Sequence, residues 1–432
     1  MQVFGLANRQ RQWQLRTATG LFGGYCAYYV CRSNLAVAAP LLVREFGSQG
    51  LNKEVLGQLA SLGVLCYALG KVGSGLLGDV VGGKLIFILG MVGSVLATVA
   101  FGLGQGLGVF FAAWACNRLV QSLGWAGLVK TTANWFSYRA YGRIMAVLSL
   151  SYLLGDIVAK LLLGQLLELG VGWRGLFGAA AAVLALVAAL DWWLVAPAPA
   201  SVGLPAPEAS PSAVITEVGG PTPTVSALLG PYLRSPAFLL MLGLSFGFTA
   251  LREALSFWLP TYLVEAAHLS AGAASAYSAL YSVLGMVSVL GAGYLSDAKL
   301  QGRRGPLLLL AGLGLVPVLL LMARPGGGLG LPLLLSAAAG FLLLGPYSFL
   351  AGAMALDAGG PRGAATASGL IDAVGYMGST GALWLTGRLA ERYGWGSALL
   401  ALAVLAGATA ALALVFMRTQ EQRPPVLAGA PG

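Results

Sequence analysis

Apolar runs of about 20 residues recur along the chain, near 17–42, 55–78, 84–104, 107–134, 143–168 and 173–195. A second set follows near 236–265, 273–297, 305–323, 330–354, 364–390 and 395–417. A helix rises about 1.5 Å per residue, so each run is long enough to cross the ~30 Å hydrocarbon core of a bilayer. The pattern predicts an all-α membrane protein of twelve transmembrane helices. Between the sets, eight of the chain's 20 prolines (Pro197, Pro199, Pro205, Pro207, Pro211, Pro221, Pro223 and Pro231) crowd into 196–235. Proline lacks the amide donor a helix needs, so this stretch reads as a linker. The expected organisation is a six-helix bundle over 1–195, a cytoplasmic Pro-rich linker over 196–235, a second six-helix bundle over 236–417 and a cytoplasmic tail over 418–432.

The two sets read as copies. Arg32 in the first run has a counterpart 220 residues on, Arg252 in the seventh. Asp79 in Gly-Leu-Leu-Gly-Asp matches Asp297 in Gly-Tyr-Leu-Ser-Asp at an offset of 218, and Gly172-Trp173 matches Gly394-Trp395 at 222. Three landmarks at nearly one offset imply a duplicated six-helix unit. Transporters built this way bind substrate near the bilayer midplane, between the repeats.

Composition removes the other classes. Hydrophobic residues make up 58% and charged residues 9% of the chain, against roughly 25% charged in soluble domains. Too few charges remain to cover a water-facing surface. The 63 glycines contain no GxxxxGK[ST] phosphate loop and suit close helix packing instead. With one histidine, His268, and four scattered cysteines, neither a metal site nor a Ser-His-Asp triad is supported. No catalytic residue, no metal and no cofactor is expected, and the chain does not read as an enzyme. The net charge of +10 does not indicate nucleic acid, because Arg9, Arg11 and Arg16 immediately precede the first span, where cations hold a terminus in the cytoplasm. With both termini inside, 13 of the 25 Lys and Arg fall on the cytoplasmic side and six on the other, as the positive-inside rule requires. A bacterial inner membrane is expected rather than an organellar one.

The remaining six cations lie within spans: Arg32, Lys71, Arg118, Lys130, Lys160 and Arg252. Three intramembrane acids accompany them, Asp156, Glu253 and Asp372. An arginine at mid-helix costs ~2.5–3.5 kcal/mol on insertion scales, so each must face a polar cavity or a partner. Pairing every acid leaves a positive surplus suited to an anion, and arginine's planar fork matches phosphate or carboxylate. Arg32 and Arg252, at equivalent places in the two halves, form the expected clamp. The competing assignment pairs Arg252 with Glu253, although neighbours at i, i+1 leave a helix on different faces. Lys71 reads either as a third substrate cation or as a charge neutralised by Asp156 or Asp372. Lys130 is a weaker substrate candidate, and Arg118 reads as a gating element. Asp156 and Lys160, spaced i, i+4, suit a local pair. The alternative role for Asp156, Glu253 or Asp372 is proton uptake during transport.

The stretch from Gly75 to Lys84, Gly-Leu-Leu-Gly-Asp-Val-Val-Gly-Gly-Lys, resembles the GxLxDxxGxK signature of the major facilitator superfamily, with a partial echo at Gly293–Asp297 and Arg303-Arg304. That resemblance implies gating roles for Asp79, Lys84 and Asp297. Further stretches resemble the organophosphate:phosphate antiporters within it. These are Gly24-Tyr25-Cys26-Ala27-Tyr28-Tyr29-Val30-Cys31-Arg32-Ser33-Asn34, Leu123-Gly124-Trp125, Leu251-Arg252 with Trp258–Leu263, Gly340-Phe341 with Gly345-Pro346, and Ser201–Pro205. The resemblance implies that Arg32 and Arg252 grip a phosphate, that Lys71 lies nearby, and that Tyr28, Tyr29 and Tyr376 line the site. It implies exchange of a phosphorylated small molecule for inorganic phosphate by a monomer in a lipid bilayer. Ser33, Tyr152 and Ala126-Gly127 depart from the family pattern, which has lysine, histidine (in the glycerol-phosphate branch) and two prolines there. The rival functions are proton-coupled symport of an organic anion such as a carboxylate, and a receptor that senses a sugar phosphate without moving it.

Overall fold

The computed structural model describes the backbone of residues 2–205, 207, 232–324 and 328–421. The central part of the expected linker, 208–231, and the end of the tail, 422–432, lie outside the described residues. So do the side chains of Asp79 and Asp297, two of the three gating positions that the resemblance implied.

The chain is all-helical. The first half comprises α1 (Gln2–Phe46), α2 (Lys53–Val81), α3 (Gly83–Leu103), α4 (Leu107–Trp135), α5 (Tyr138–Glu168) and α6 (Trp173–Leu194). The second comprises α7 (Pro236–Ala266), α8 (Ala271–Ala298), α9 (Gly305–Met322), α10 (Gly330–Tyr347) and α11 (Ala355–Phe416). Starts are set by side-chain caps: Asn52, Ser235 and Ser270 each accept a hydrogen bond from the amide three residues on, satisfying donors that a helix leaves orphaned. The α2–α3 corner is made at Gly82, whose φ of 96° a side chain would resist.

The 62-residue α11 carries two spans. Ile371 accepts a hydrogen bond from Ser245 on α7, and Thr409 packs against Gly247 of the same helix. Residues 371 and 409 would be about 57 Å apart in a straight helix, so the chain reverses between them. Gly394, at φ 80°, supplies the left-handed residue for that turn. Among the described residues, nine helical segments are long and apolar enough to cross a membrane by length and composition. With α2 and α4, which are long enough but carry the buried polar residues of the interior, and with the reversal in α11, the crossings among the described residues number twelve. Leucines such as Leu96 and Leu310, 66% and 62% exposed, point outward as lipid-facing positions should. Interior prolines repeat as well: Pro40 in α1 and Pro260 in α7 stand 220 residues apart, the same offset as Arg32 and Arg252.

Each half is built round an apolar core, the first taking in Trp258, Tyr376 and Leu383 of the second half and the second Leu153 of the first, and the halves meet along α2 with α11 and α5 with α8. Among the described residues, the polar contacts joining them lie at mid-membrane or toward the face that bears the α1–α2 turn. There Lys53 pairs with Glu265 at 2.8 Å, and Glu54 with Arg392 at 3.0 Å. Glu391 accepts from the Lys53 amide, and Glu168 accepts from the Ala273 amide on α8. The molecule is closed at that face. The expected linker begins as packed structure, with Asn134 and Trp135 of α4 donating to the carbonyls of Pro197 and Ala196.

Candidate functional site

Among the described residues, two of the cavities are walled by both halves. The deeper one, about 60 Å³, is walled by Arg32, Arg118, Asp156, Lys160, Arg252 and Glu253, with Tyr29 and Trp114. The other, about 230 Å³, lies on the side away from the closed face and is walled by Tyr25, Tyr67, Lys71, Tyr152, Asp372 and Tyr376, among others. Tyr29 and Arg252 line both, so the arginine of the second half stands at the junction.

Arg32 reaches the deep cavity from the middle of α1. Its guanidinium lies 5.1 Å from the Tyr29 ring centroid and 4.4 Å from that of Tyr67, contacts a cation makes with an aromatic face. Among the described residues no carboxylate is within ion-pair distance of it. Arg252, from the equivalent place in α7, bonds Glu253 and lies 4.7 Å from the Tyr347 ring; its Nε is buried without a partner. The adjacent pair that i, i+1 geometry argues against does form. Both side chains are long enough to bend round the 100° between them, and in a low dielectric the attraction outweighs the rotamer cost.

Lys71 on α2 pairs with Asp372 on α11 at 2.5 Å, across the two halves, and lies over the Tyr67 and Tyr376 rings. Of its two expected states, the paired one is occupied, with Asp372. Asp156 and Lys160 form the intrahelical pair at 2.8 Å. Asp156 also accepts from Ser33 at 2.7 Å and from Ser282 of the other half at 2.5 Å. All three acids considered for proton uptake therefore face cations.

Arg118 is not at a helix end, where a gating element would sit. It is 3% exposed, bonds Gln121 at 3.3 Å, lies 4.9 Å from the Tyr67 ring centroid and forms part of the deep cavity wall. Lys130, twelve residues further along α4, is not a wall residue of either cavity, because that distance carries it about 18 Å along the axis. Lys84 donates to the Trp192 carbonyl at 2.7 Å, and Arg16 to that of Trp193 at 2.7 Å. Both cations thus cap the C-terminal carbonyls of α6, where positive charge is favoured.

Tyr28 does not line the site. It is 2% exposed, and its hydroxyl donates to the Phe87 carbonyl on α3 at 2.6 Å. Neighbours on a helix diverge by about 100°, so when Tyr29 faces the cavity Tyr28 faces the bundle core. Tyr25, one turn before Tyr29, shares its face and is the wall residue that the sequence reading passed over. Tyr67 was also missed, although it precedes Lys71 by four residues and so shares its helix face. A fourth intramembrane acid completes the correction: Asp191 on α6, 1% exposed and packed against Gly20 and Gly24, away from both cavities. The segment Leu350–Met354, one turn of π-helix, places Ala351 and Gly352 on the wall of the larger cavity; such turns often mark functional sites.

The sequence pattern of the Major Facilitator Superfamily matches residues 21–383. Full-length relatives include a probable hexose phosphate transport protein of Chlamydia pneumoniae, 27% identical over 95% of this chain and 92% of that one. The glycerol-3-phosphate transporter of Bacillus subtilis is 26% identical over 94% and 92%. The membrane sensor protein UhpC of Escherichia coli is 24% identical over 96% and 94%. Among solved structures, an inward-facing, unoccupied bacterial homologue of the human lysosomal transporter Spinster superposes with a TM-score of 0.76 at 17% identity, covering 96% of this chain and 99% of that one.

Proposed function

This chain belongs to the Major Facilitator Superfamily, and we propose that it carries a phosphorylated organic anion, a sugar phosphate or glycerol phosphate, across its membrane in exchange for inorganic phosphate. The observation that supports this most directly is the deep cavity, where one arginine from each half meets at the junction of the bundles. Relatives over the whole length are named for hexose phosphate and glycerol-3-phosphate transport. Substrate held between Arg32 and Arg252 ties the halves together, and rocking about it exposes the site to each side in turn. With both termini cytoplasmic, as the distribution of Lys and Arg favours, the arrangement sealed by Lys53–Glu265 and Glu54–Arg392 is the inward-facing one. The larger cavity is then the way in from the cytoplasm of a bacterial cell.

Arg252 is the switchable arm: it is paired with Glu253 and is released when phosphate competes for its fork. Arg32 recognises phosphate with the same planar donors. Lys71 and Asp372 give the larger cavity a neutral ion pair that an organic group displaces or skirts, while Tyr25, Tyr29 and Tyr376 supply rings and hydroxyls. Asp156, Glu253 and Asp372 are each engaged by a cation, which favours anion exchange over proton-coupled symport.

The test is counterflow in proteoliposomes, with labelled phosphate outside and unlabelled phosphate or sugar phosphates inside. Arg32→Lys and Arg252→Lys are expected to lose nearly all exchange while still inserting, because a point charge does not reproduce a bidentate fork. Normal exchange in either variant refutes the clamp. The sensor among the relatives gives the receptor reading its footing, and binding of phosphate without counterflow would decide for it.

A further inference from the structure

The charges lining the deep cavity do not cancel, and the remainder is specific. Its walls carry four cations, Arg32, Arg118, Lys160 and Arg252, against two acids, Asp156 and Glu253. Lys160 is held by Asp156 and Arg252 by Glu253. Among the described residues, Arg32 and Arg118 have no carboxylate within ion-pair distance. Both lie on one ring, at 4.4 and 4.9 Å from the Tyr67 centroid, so the two guanidinium carbons are at most about 9 Å apart. A phosphate accepting from both at hydrogen-bond distances of about 2.8 Å spans such a gap. Two like charges close together inside the membrane, Arg118 buried and Arg32 half-buried, are unfavourable without a carboxylate partner. Their retention makes sense if the missing partner is the cargo.

We propose that Arg118 is a second phosphate ligand beside Arg32, and that this pair selects the doubly ionised form of the phosphate over singly charged anions. The inference rests on the phosphate-carrier reading above and extends it. The cargo becomes a phosphate monoester dianion or the dianion of inorganic phosphate, and sulfate esters, phosphodiesters and monocarboxylates become poor substrates. Arg252 keeps its charge, but Glu253 offsets it until the cargo competes for the guanidinium. Arg32 and Arg118 present a fixed charge of two.

The groups facing Arg118 across the cavity set the sign of the pH effect. They are Arg32 on α1, Asp156 and Lys160 on α5, and Arg252 and Glu253 on α7, with Cys66 and Tyr67 on α2 and Tyr376 on α11 beside Arg118. Acidification that protonated Asp156 or Glu253 would add positive charge and strengthen anion binding. Acidification of the cargo removes one of its charges, because a phosphate monoester has its second pKa at about 6, and so weakens binding. A loss of affinity below pH 6 therefore belongs to the cargo and not to the wall.

The experiment is competition against labelled phosphate exchange in proteoliposomes. The probes are methyl phosphate and methyl sulfate, which have the same shape but differ in that only the first ionises twice. In the unsubstituted protein at pH 7.5, methyl phosphate is expected to compete at least 100-fold better than methyl sulfate, and to lose about tenfold of its potency by pH 5. Arg118→Gln is expected to shrink the 100-fold preference to tenfold or less and to flatten the pH dependence; Arg118→Lys, which keeps the charge but not the fork, is expected to weaken both probes while keeping the preference and the pH dependence. If Arg118→Gln keeps the full preference and pH profile while Arg32→Gln abolishes exchange, the inference falls and the carrier reading stands. If the unsubstituted protein exchanges no phosphate, both fall. Should Arg118→Gln not be recovered as a monodisperse protein, the pH profile of the unsubstituted protein decides: methyl phosphate equally potent at pH 7.5 and 5 overturns the proposal.

Discussion

The two halves offer the same arginine at the same place and treat it differently. Arg32 on α1 is followed by Ser33, whose hydroxyl turns to Asp156. Arg252 on α7, at the same offset of 220, is followed by Glu253, which occupies its guanidinium. One position of the repeat, serine in one half and glutamate in the other, therefore breaks the electrostatic symmetry while the backbone keeps it, down to the interior prolines Pro40 and Pro260. A carrier must bind its cargo and also release it. On the proposed carrier reading, the half whose arginine has no carboxylate among the described residues supplies attraction, and the half with Glu253 supplies a competitor for release.

The largest effects should come from removing each arginine, and the two should fail in different ways. Arg32→Gln is expected to cut exchange by at least ~100-fold, about 2.7 kcal/mol, comparable to a hydrogen-bonded charge pair, with thermal stability in detergent unchanged or raised. Arg252→Gln strands Glu253 as a buried unpaired acid. Breaking such a pair costs about 3–5 kcal/mol, so its melting temperature should fall, and the double variant with Glu253→Gln should recover most of the loss. Equal stability of the two single variants would show that the halves are not distinguished in this way.

A smaller effect sharpens the same comparison. Glu253→Ser gives Arg252 the neighbour that Arg32 has. Phosphate should then bind roughly tenfold more tightly, about 1.4 kcal/mol, while counterflow slows because no carboxylate competes for the arginine on release. Weaker binding in a folded variant would contradict the competitor role. Below this stands the cross-half pair Lys71–Asp372. A double-mutant cycle with Lys71→Gln and Asp372→Asn, read by stability, should give a coupling of about 1 kcal/mol, the modest value typical of polar contacts within membranes; zero coupling removes the pair from the interface. The smallest effect belongs to the rim of the closed face. Glu54→Gln releases Arg392, which is half exposed, and should change stability by no more than ~0.5 kcal/mol while raising labelling of that face by a membrane-impermeant reagent.

The order of spans and the presence of Arg32 and Arg252 as charges inside them were legible in the chain because lipid imposes simple arithmetic. A crossing needs about 20 apolar residues, and any charge inside one stands out against them. A periodic helix also fixes which residues share a face, so Tyr25 with Tyr29, and Tyr67 with Lys71, were available to a stricter reading of the same letters. The single-residue shift that turns Tyr28 into the core followed from the same periodicity.

What the sequence could not decide is how charges pair once twelve helices are packed. Its six intramembrane cations admit many partners, because pairing depends on distances of a few ångströms between helices far apart in the chain. Only the packed bundle joins Lys71 to Asp372, turns Arg252 onto its own neighbour, places Arg118 on the cavity wall and leaves Arg32 and Arg118, among the described residues, without a carboxylate. Burial energies are local and additive enough to be read along a line, whereas Coulomb energies in a low dielectric are set by three-dimensional separation. The membrane fold therefore follows from composition and period, and the charge arrangement of the cavity from tertiary contact.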